Sequence, residues 1–148
     1  MCRSHATVRE LLGALVAESR EPTVVDLEAG LENFSRGTSR HADTLLIVLE
    51  PYFKSLETGR RIAELARELK TPRLAGIANK IRSEADREAI LEFASTHAIE
   101  IAASIPYDEV IPEADRSGRS PLDLAPQSPA MQAIARLADW TRAAPAVV

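Results

Sequence analysis

Asp43-Thr44-Leu45-Leu46-Ile47-Val48-Leu49-Glu50-Pro51 is the stretch on which the fold turns. From Thr44 to Leu49 the run is apolar or β-branched, with no alternating polar positions. A strand with one wet face alternates, so an unbroken run reads as a strand buried on both faces, as in parallel sheets. Glu50-Pro51 closes it, because the residue before a proline is restricted and proline cannot donate to a ladder. Downstream, Ser55 is positioned to cap a long helix with Glu57 in its first turn. Ile62, Leu65, Ala66 and Leu69 mark that helix's apolar face, and Glu57 with Arg61 is an exposed i,i+4 pair. Thr71-Pro72 ends it.

The pattern then repeats. Leu74-Ala75-Gly76-Ile77-Ala78 is a second buried strand that runs into Asn79-Lys80. Ser83 and Asp86 have the spacing of a capping box before a helix that buries Ile90, Phe93 and Ala94. Ile99 to Ile105 is a further strand, stopped by Pro106. Pro106 to Gln127 reads as a long polar loop. Ser128-Pro129 opens the last helix, with proline at its tolerated first position. Met131, Ile134, Leu137 and Ala138 form its predicted face.

Upstream of Asp43, Thr23 to Leu27 reads as another buried strand, which carries Asp26 toward its carboxyl end. Before it, Ser4 caps a helix with Val8, Leu11, Leu12, Leu15 and Val16 on one face. Between Glu28 and Asp43 no period dominates, and Gly30 and Gly37 suggest a functional loop or short helix. Strands alternating with helices give parallel βαβ units with right-handed crossovers. The fold class is therefore α/β: a three-layer, mainly parallel sheet with helices on both faces. The carboxyl ends of its strands gather Asp26, Glu50-Pro51, Asn79-Lys80 and Pro106-Tyr107-Asp108 on one rim, where such sheets bind ligands.

Composition narrows the function. The 148 residues suit one domain, with 143–148 a loose tail rich in alanine and proline. A formal net charge of -4 argues against nucleic acid as a partner. No apolar run is long enough for a membrane span. One cysteine cannot make an internal disulfide, which fits a reducing cytoplasm. Taken alone, Asp26 reads as a turn cap, Asn79 as a turn residue and Lys80 as a solvated lysine. His41 and His97 have no triad pattern around them.

The ordered motifs go further. Val25-Asp26-Leu27-Glu28-Ala29-Gly30-Leu31-Glu32 with Ser35-Arg36-Gly37-Thr38 resembles the switch region of the MinD/ParA-type P-loop ATPases. Within that group the chain is most similar to the accessory ATPases that mature nickel carbon monoxide dehydrogenase. Ala42-Asp43, Glu50-Pro51, Ser55-Leu56-Glu57-Thr58, Ala78-Asn79-Lys80-Ile81 and Ile105-Pro106-Tyr107-Asp108 follow in the family's order, then Glu113-Ala114-Asp115 and Gly118.

The resemblance implies ATP or ADP with Mg²⁺ as cofactors. Asp26 would hold the Mg²⁺ through water, and Gly30 would sit near the γ-phosphate, where close backbone approach suits glycine. Asn79 would bond the adenine edge with an amide that both donates and accepts. Pro106 and Tyr107 would flank the base. Cys2 matches the second cysteine of a Cys-x-Cys pair whose thiolates, in the family, join two subunits around a metal. That implies nickel or zinc at a dimer interface. One thiolate per subunit is too few for a closed tetrahedral site, and a free terminal thiol is the competing reading.

One departure matters. No Gly-x-x-x-x-Gly-Lys-Ser/Thr phosphate loop occurs in the sequence. In the family that loop lies upstream, on the strand beside the one that precedes Asp26. The expectation is thus a C-terminal portion of a P-loop ATPase fold, without independent ATP hydrolysis, that associates as a homodimer or with a complementing N-terminal half. The implied client is a nickel metalloenzyme. The alternative is a non-catalytic module that pairs with a full-length ATPase or another partner. An amide-forming synthase of the wider group would need a glutaminase elbow, which is absent from the sequence. A DNA-partitioning role conflicts with the acidic charge.

Overall fold

The structure is a computed structural model in which residues 23–27 and 42–143 are described. Among the described residues its centre is a parallel sheet of three strands in the order β1-β2-β3. β1 spans Thr44–Leu49, β2 Arg73–Ile81 and β3 Glu100–Pro106. β1 and β2 pair in unbroken register from Thr44 opposite Arg73 to Leu49 opposite Ala78. Helix α1 (Phe53–Glu68) connects β1 to β2, and α2 (Glu84–Thr96) connects β2 to β3. Two βαβ units are therefore present, as the sequence pattern predicts.

Side chains alternate across the sheet, so the register assigns its two faces. Ile47, Leu49 and Ala78 point to one face. They form a buried core with Ala63 of α1, Ile90 and Ala94 of α2, and Ile99. Ala75 and Ile77 lie on the other face and are also buried. That face is covered by α5 (Pro129–Arg142), which packs on β3 and buries Ala130 and Ala133. Helices on both faces make this the expected three-layer α/β fold.

Small residues set how closely the layers approach. α1 buries Gly59, Ala63 and Ala66, while Ile62, Leu65 and Leu69 are only half-buried. A Cβ at Gly59 would stand 2.2 Å from Leu49 Cδ2. Of the predicted face Ala66 is buried, and the stripe is otherwise offset toward Gly59 and Ala63, because the point of closest approach excludes large side chains. In α5 the same effect leaves Ile134 exposed while Ala130 and Ala133 are buried. The capping box of α2 is present: Asp86 N–H donates to Ser83 Oγ at 3.2 Å and Ser83 N–H donates to Asp86 Oδ2 at 3.1 Å.

Four expectations are corrected. β1 is not buried on both faces: Ile47 and Leu49 are buried on one, whereas Val48 on the other is 53% exposed, because the helix on that side packs on β3. Ser55 does not cap α1. The helix begins at Phe53 with Tyr52 at its N-cap, and the Ser55 hydroxyl accepts from Glu50 N–H at 2.9 Å. The 106–127 segment is not a polar loop. It contains α3 (Val110–Ser117) and the one-turn α4 (Pro121–Leu124). Gly118, at φ 62°, ends α3 in the left-handed conformation, and Ser120 caps α4 ahead of Pro121. Pro112 lies in the first turn of α3, where its missing N–H costs nothing. Finally, Thr23–Leu27 is not a buried strand. It joins no ladder among the described residues, and Val24 is 92% exposed. β-branched residues favour an extended chain, but a strand is buried only where a neighbouring edge pairs with it. The predicted helix over residues 8–16, the loop after Glu28 and the tail from 144 lie outside the described residues.

Candidate functional site

The carboxyl end of the sheet is built around an irregularity in β2. Ala78 pairs with Ser104 and Ile81 with Pro106, so β2 spends three steps where β3 spends two. The extra residue is a β-bulge at Asn79-Lys80, and Lys80 takes the left-handed conformation with φ 57°. Bulges re-aim side chains at sheet rims, and this one turns Asn79 and Lys80 out of the regular alternation. Beyond it, Tyr107 N–H donates to Ile81 O at 2.9 Å, which continues the β2–β3 pairing and holds Pro106-Tyr107 beside the end of β2.

β1 delivers the next group. Glu50 follows its last residue, and its carboxylate accepts from Lys80 Nζ at 2.9 Å. Lys80 is therefore not a merely solvated lysine: the Glu50 carboxylate holds its ammonium charged and raises its pKa, with smaller contributions from Tyr52 and Tyr107. Ser55 fixes Glu50 from the other side through the amide bond already described. The rim is thus laced from β1 through β2 to β3.

The Pro106-Tyr107 turn is anchored from behind by Asp108. One of its oxygens accepts from Ala130 N–H at 3.2 Å, at the start of α5, and the other from Val110 N–H at 3.1 Å. These amide bonds hold its carboxyl below the usual carboxylate range, Ala130 contributing most. A carboxylate over a helix N-terminus is favourably placed against the dipole. Asp108 therefore acts through Pro106 and Tyr107 by fixing the chain that follows them. The sequence reading placed Asp108 on the rim without this bond, because the partner lies 22 residues later and no local pattern marks it.

Arg82 was not singled out from sequence. Its guanidinium carbon lies 3.3 Å from the centroid of the Tyr107 ring, and its backbone N–H donates to Asp86 Oδ2 at 2.9 Å. Read linearly, Arg82 is one more surface charge before a capping box. Only the Ile81–Tyr107 pairing puts it against the ring.

Of the residues expected at the site, Asn79, Pro106 and Tyr107 are brought together. Asp26 is exposed and lies outside the sheet's ladders. Gly30 and Cys2 lie outside the described residues. Among the described residues no group of three or more His, Cys, Asp and Glu side chains is arranged to hold a metal ion. Among them, too, no helix is long and apolar enough to cross a membrane.

With that geometry established, the chain can be set against known proteins. No family model matches it. It is 41% identical over 126 residues to the carbon monoxide dehydrogenase accessory protein CooC of Rhodospirillum rubrum, covering 85% of this chain and 47% of that protein. The chain thus spans about half the length of the curated relatives it matches. The MinD cell division protein of Aquifex aeolicus superposes with a TM-score of 0.73 at 20% identity, over 97% of this chain and 63% of that one. The septum site-determining protein MinD of Pyrococcus horikoshii OT3, a complex with Mg-ADP, gives 0.72 at 20% identity, over 94% of this chain and 57% of that one. The MinD likenesses show the fold, and the sequence likeness to CooC gives the kinship within it. Together with the ordered motifs along the sheet rim they show that this chain has the fold of the MinD/ParA-type P-loop ATPases and is related in sequence to the carbon monoxide dehydrogenase accessory protein.

Proposed function

We propose that this chain forms the base-binding side of a nucleotide site in an accessory ATPase for metalloenzyme maturation. The observation that carries the reading is the bulge at Asn79-Lys80 set against Pro106-Tyr107. It places an amide that can pair with a base edge next to a proline and an aromatic ring that can cover the base faces. Adenine offers a donor and an acceptor on one edge, and the Asn79 amide complements both. The wall is pre-organised by the Glu50–Lys80 pair and by Asp108, so little ordering remains to be done on binding.

Asp26 is the proposed Mg²⁺ residue. Mg²⁺ keeps several waters and takes one or two carboxylates beside phosphate oxygens, and an exposed aspartate is a donor of that kind. When bound, the ion would neutralise phosphate charge. Gly30 would lie by the γ-phosphate and Cys2 at a dimer interface, with nickel, or zinc in its place, as the cargo. The protein would work in the cytoplasm as a homodimer or with a complementing N-terminal half, in service of a nickel metalloenzyme. The identity to CooC supports this placement.

The test is equilibrium binding of Mg-ADP and Mg-ATP to the purified chain, with Asp26→Ala and Asn79→Ala alongside. Micromolar binding weakened about tenfold or more by Asn79→Ala supports the reading; that factor is about one lost net hydrogen bond. A folded chain that binds neither nucleotide refutes it. The interaction-module reading has its own support. β1 pairs only with β2 among the described residues, and Val48, Tyr52 and Phe53 are exposed near its end. That reading predicts capture of a partner regardless of nucleotide.

A further inference from the structure

The bulge leaves Arg82 as the residue that enters α2's capping box, and three contacts define it. Its backbone is fixed by Asp86. Its guanidinium carbon lies over the Tyr107 ring, 3.3 Å from the centroid. Tyr107 is itself tied to Ile81, the residue before Arg82, by a backbone hydrogen bond of 2.9 Å. The two groups are therefore held in register from both sides. Arg82 is exposed, so its side chain is accessible from solvent. Its charge is also unspent: among the described residues no carboxylate lies within ion-pairing distance, whereas neighbouring Lys80 is neutralised by Glu50. The contrast with Arg73 is instructive. Arg73 stacks on Trp140 at 3.6 Å at the opposite end of β2, with its Nη1 buried, and serves packing.

We propose that Arg82 is a base-stacking residue, with its guanidinium, backed by the Tyr107 ring, forming the outer plane against which a purine base lies. The proposal rests on the nucleotide-binding reading above and revises it at one point: the Tyr107 ring backs Arg82 instead of meeting the base face itself. A planar, weakly hydrated, delocalised cation stacks on aromatic faces, and a purine presents a larger face than a pyrimidine. The aromatic ring behind it fixes the plane, so less freedom is lost when a base arrives. Lysine could supply the charge but not the plane.

The experiment is a titration of the purified chain with ADP in the presence of Mg²⁺, on the wild type, Arg82→Ala, Arg82→Lys and Asn79→Ala. Circular dichroism verifies the fold, and the Arg82 Nε–H resonance is followed by NMR. The expected result is about tenfold weaker ADP binding in Arg82→Ala, no recovery in Arg82→Lys, and an upfield ring-current shift of the Arg82 Nε–H as ADP binds. Unchanged or tighter binding in Arg82→Ala overturns the proposal, the latter by showing that the guanidinium competes with the base for Tyr107. Full affinity in Arg82→Lys overturns it too, since charge alone would then suffice. If Asn79→Ala weakens ADP and Arg82→Ala does not, only the Arg82 assignment falls. If the wild type does not bind ADP, the nucleotide reading falls and takes this one with it.

Discussion

Gly59→Ala tests whether the fit of α1 on the sheet is as tight as the geometry requires. Glycine inside a helix ordinarily costs about 1 kcal/mol relative to alanine, so on an open helix face this change would stabilise. Here the new methyl would stand 2.2 Å from Leu49 Cδ2 and 3.5 Å from Ile47 Cγ2. Leu49 is fully buried and cannot swing into solvent. Overpacking of this kind costs about 1–3 kcal/mol, so the net expectation is a loss of roughly 1 kcal/mol. The decisive arm is the double variant. Leu49→Ala alone should cost about 3–5 kcal/mol through lost burial and a cavity. In that background the Gly59→Ala methyl enters space that Leu49 has vacated. It should then stabilise by about 1–2 kcal/mol, from helix propensity plus one buried methyl. The coupling is therefore about 2–3 kcal/mol, read from urea midpoints by far-UV circular dichroism and Trp140 fluorescence. If Gly59→Ala has the same effect in both backgrounds, the packing argument for α1 is wrong.

Ala98 has φ 52°, a left-handed conformation that penalises a Cβ, so Ala98→Gly should raise stability by about 0.5–1 kcal/mol in urea unfolding. Ser83→Ala breaks the capping box and should cost about 1 kcal/mol in the same assay. Glu57 accepts from Arg60 and Arg61, and these guanidiniums lower its pKa from 4.5 to about 2. The folded-state value is the depressed one, so the stabilisation is present above pH 4.5 and lost as pH falls toward 2. Glu57→Gln should flatten the urea midpoint across that window, and an unchanged acid slope would contradict the assignment. Asp108→Asn leaves one oxygen to serve the amides of Val110 and Ala130, so it should weaken Mg-ADP binding through the Pro106-Tyr107 turn, whereas exposed Thr58, whose hydroxyl donates to Lys54 O within α1, should tolerate Thr58→Ser without effect.

The sequence alone determined the layer architecture, because local physics writes it. An unbroken apolar run marks a strand of a parallel sheet, and Thr44–Leu49 forms one, with Ile47 and Leu49 buried. Ser83 and Asp86 cap a helix by spacing alone, and Ser128-Pro129 starts one. The order Asn79, then Pro106-Tyr107, was legible as a rim because parallel crossovers return every strand end to one side. The tertiary structure decided what depends on distance through space. Thr23–Leu27 has strand chemistry, yet burial requires a paired edge that no property of those five residues supplies. The closest helix contacts fell on Gly59, Ala63, Ala130 and Ala133, because the tightest approach selects small side chains that hydropathy ranks low. The Lys80–Glu50 pair, the Asp108–Ala130 bond and the Arg82–Tyr107 stack join residues 22 to 30 positions apart, a separation at which sequence patterns are silent. One inserted residue in β2 brings the Asn79 and Tyr107 segments onto a common wall, and a bulge is a property of register, which two strands must share before it exists.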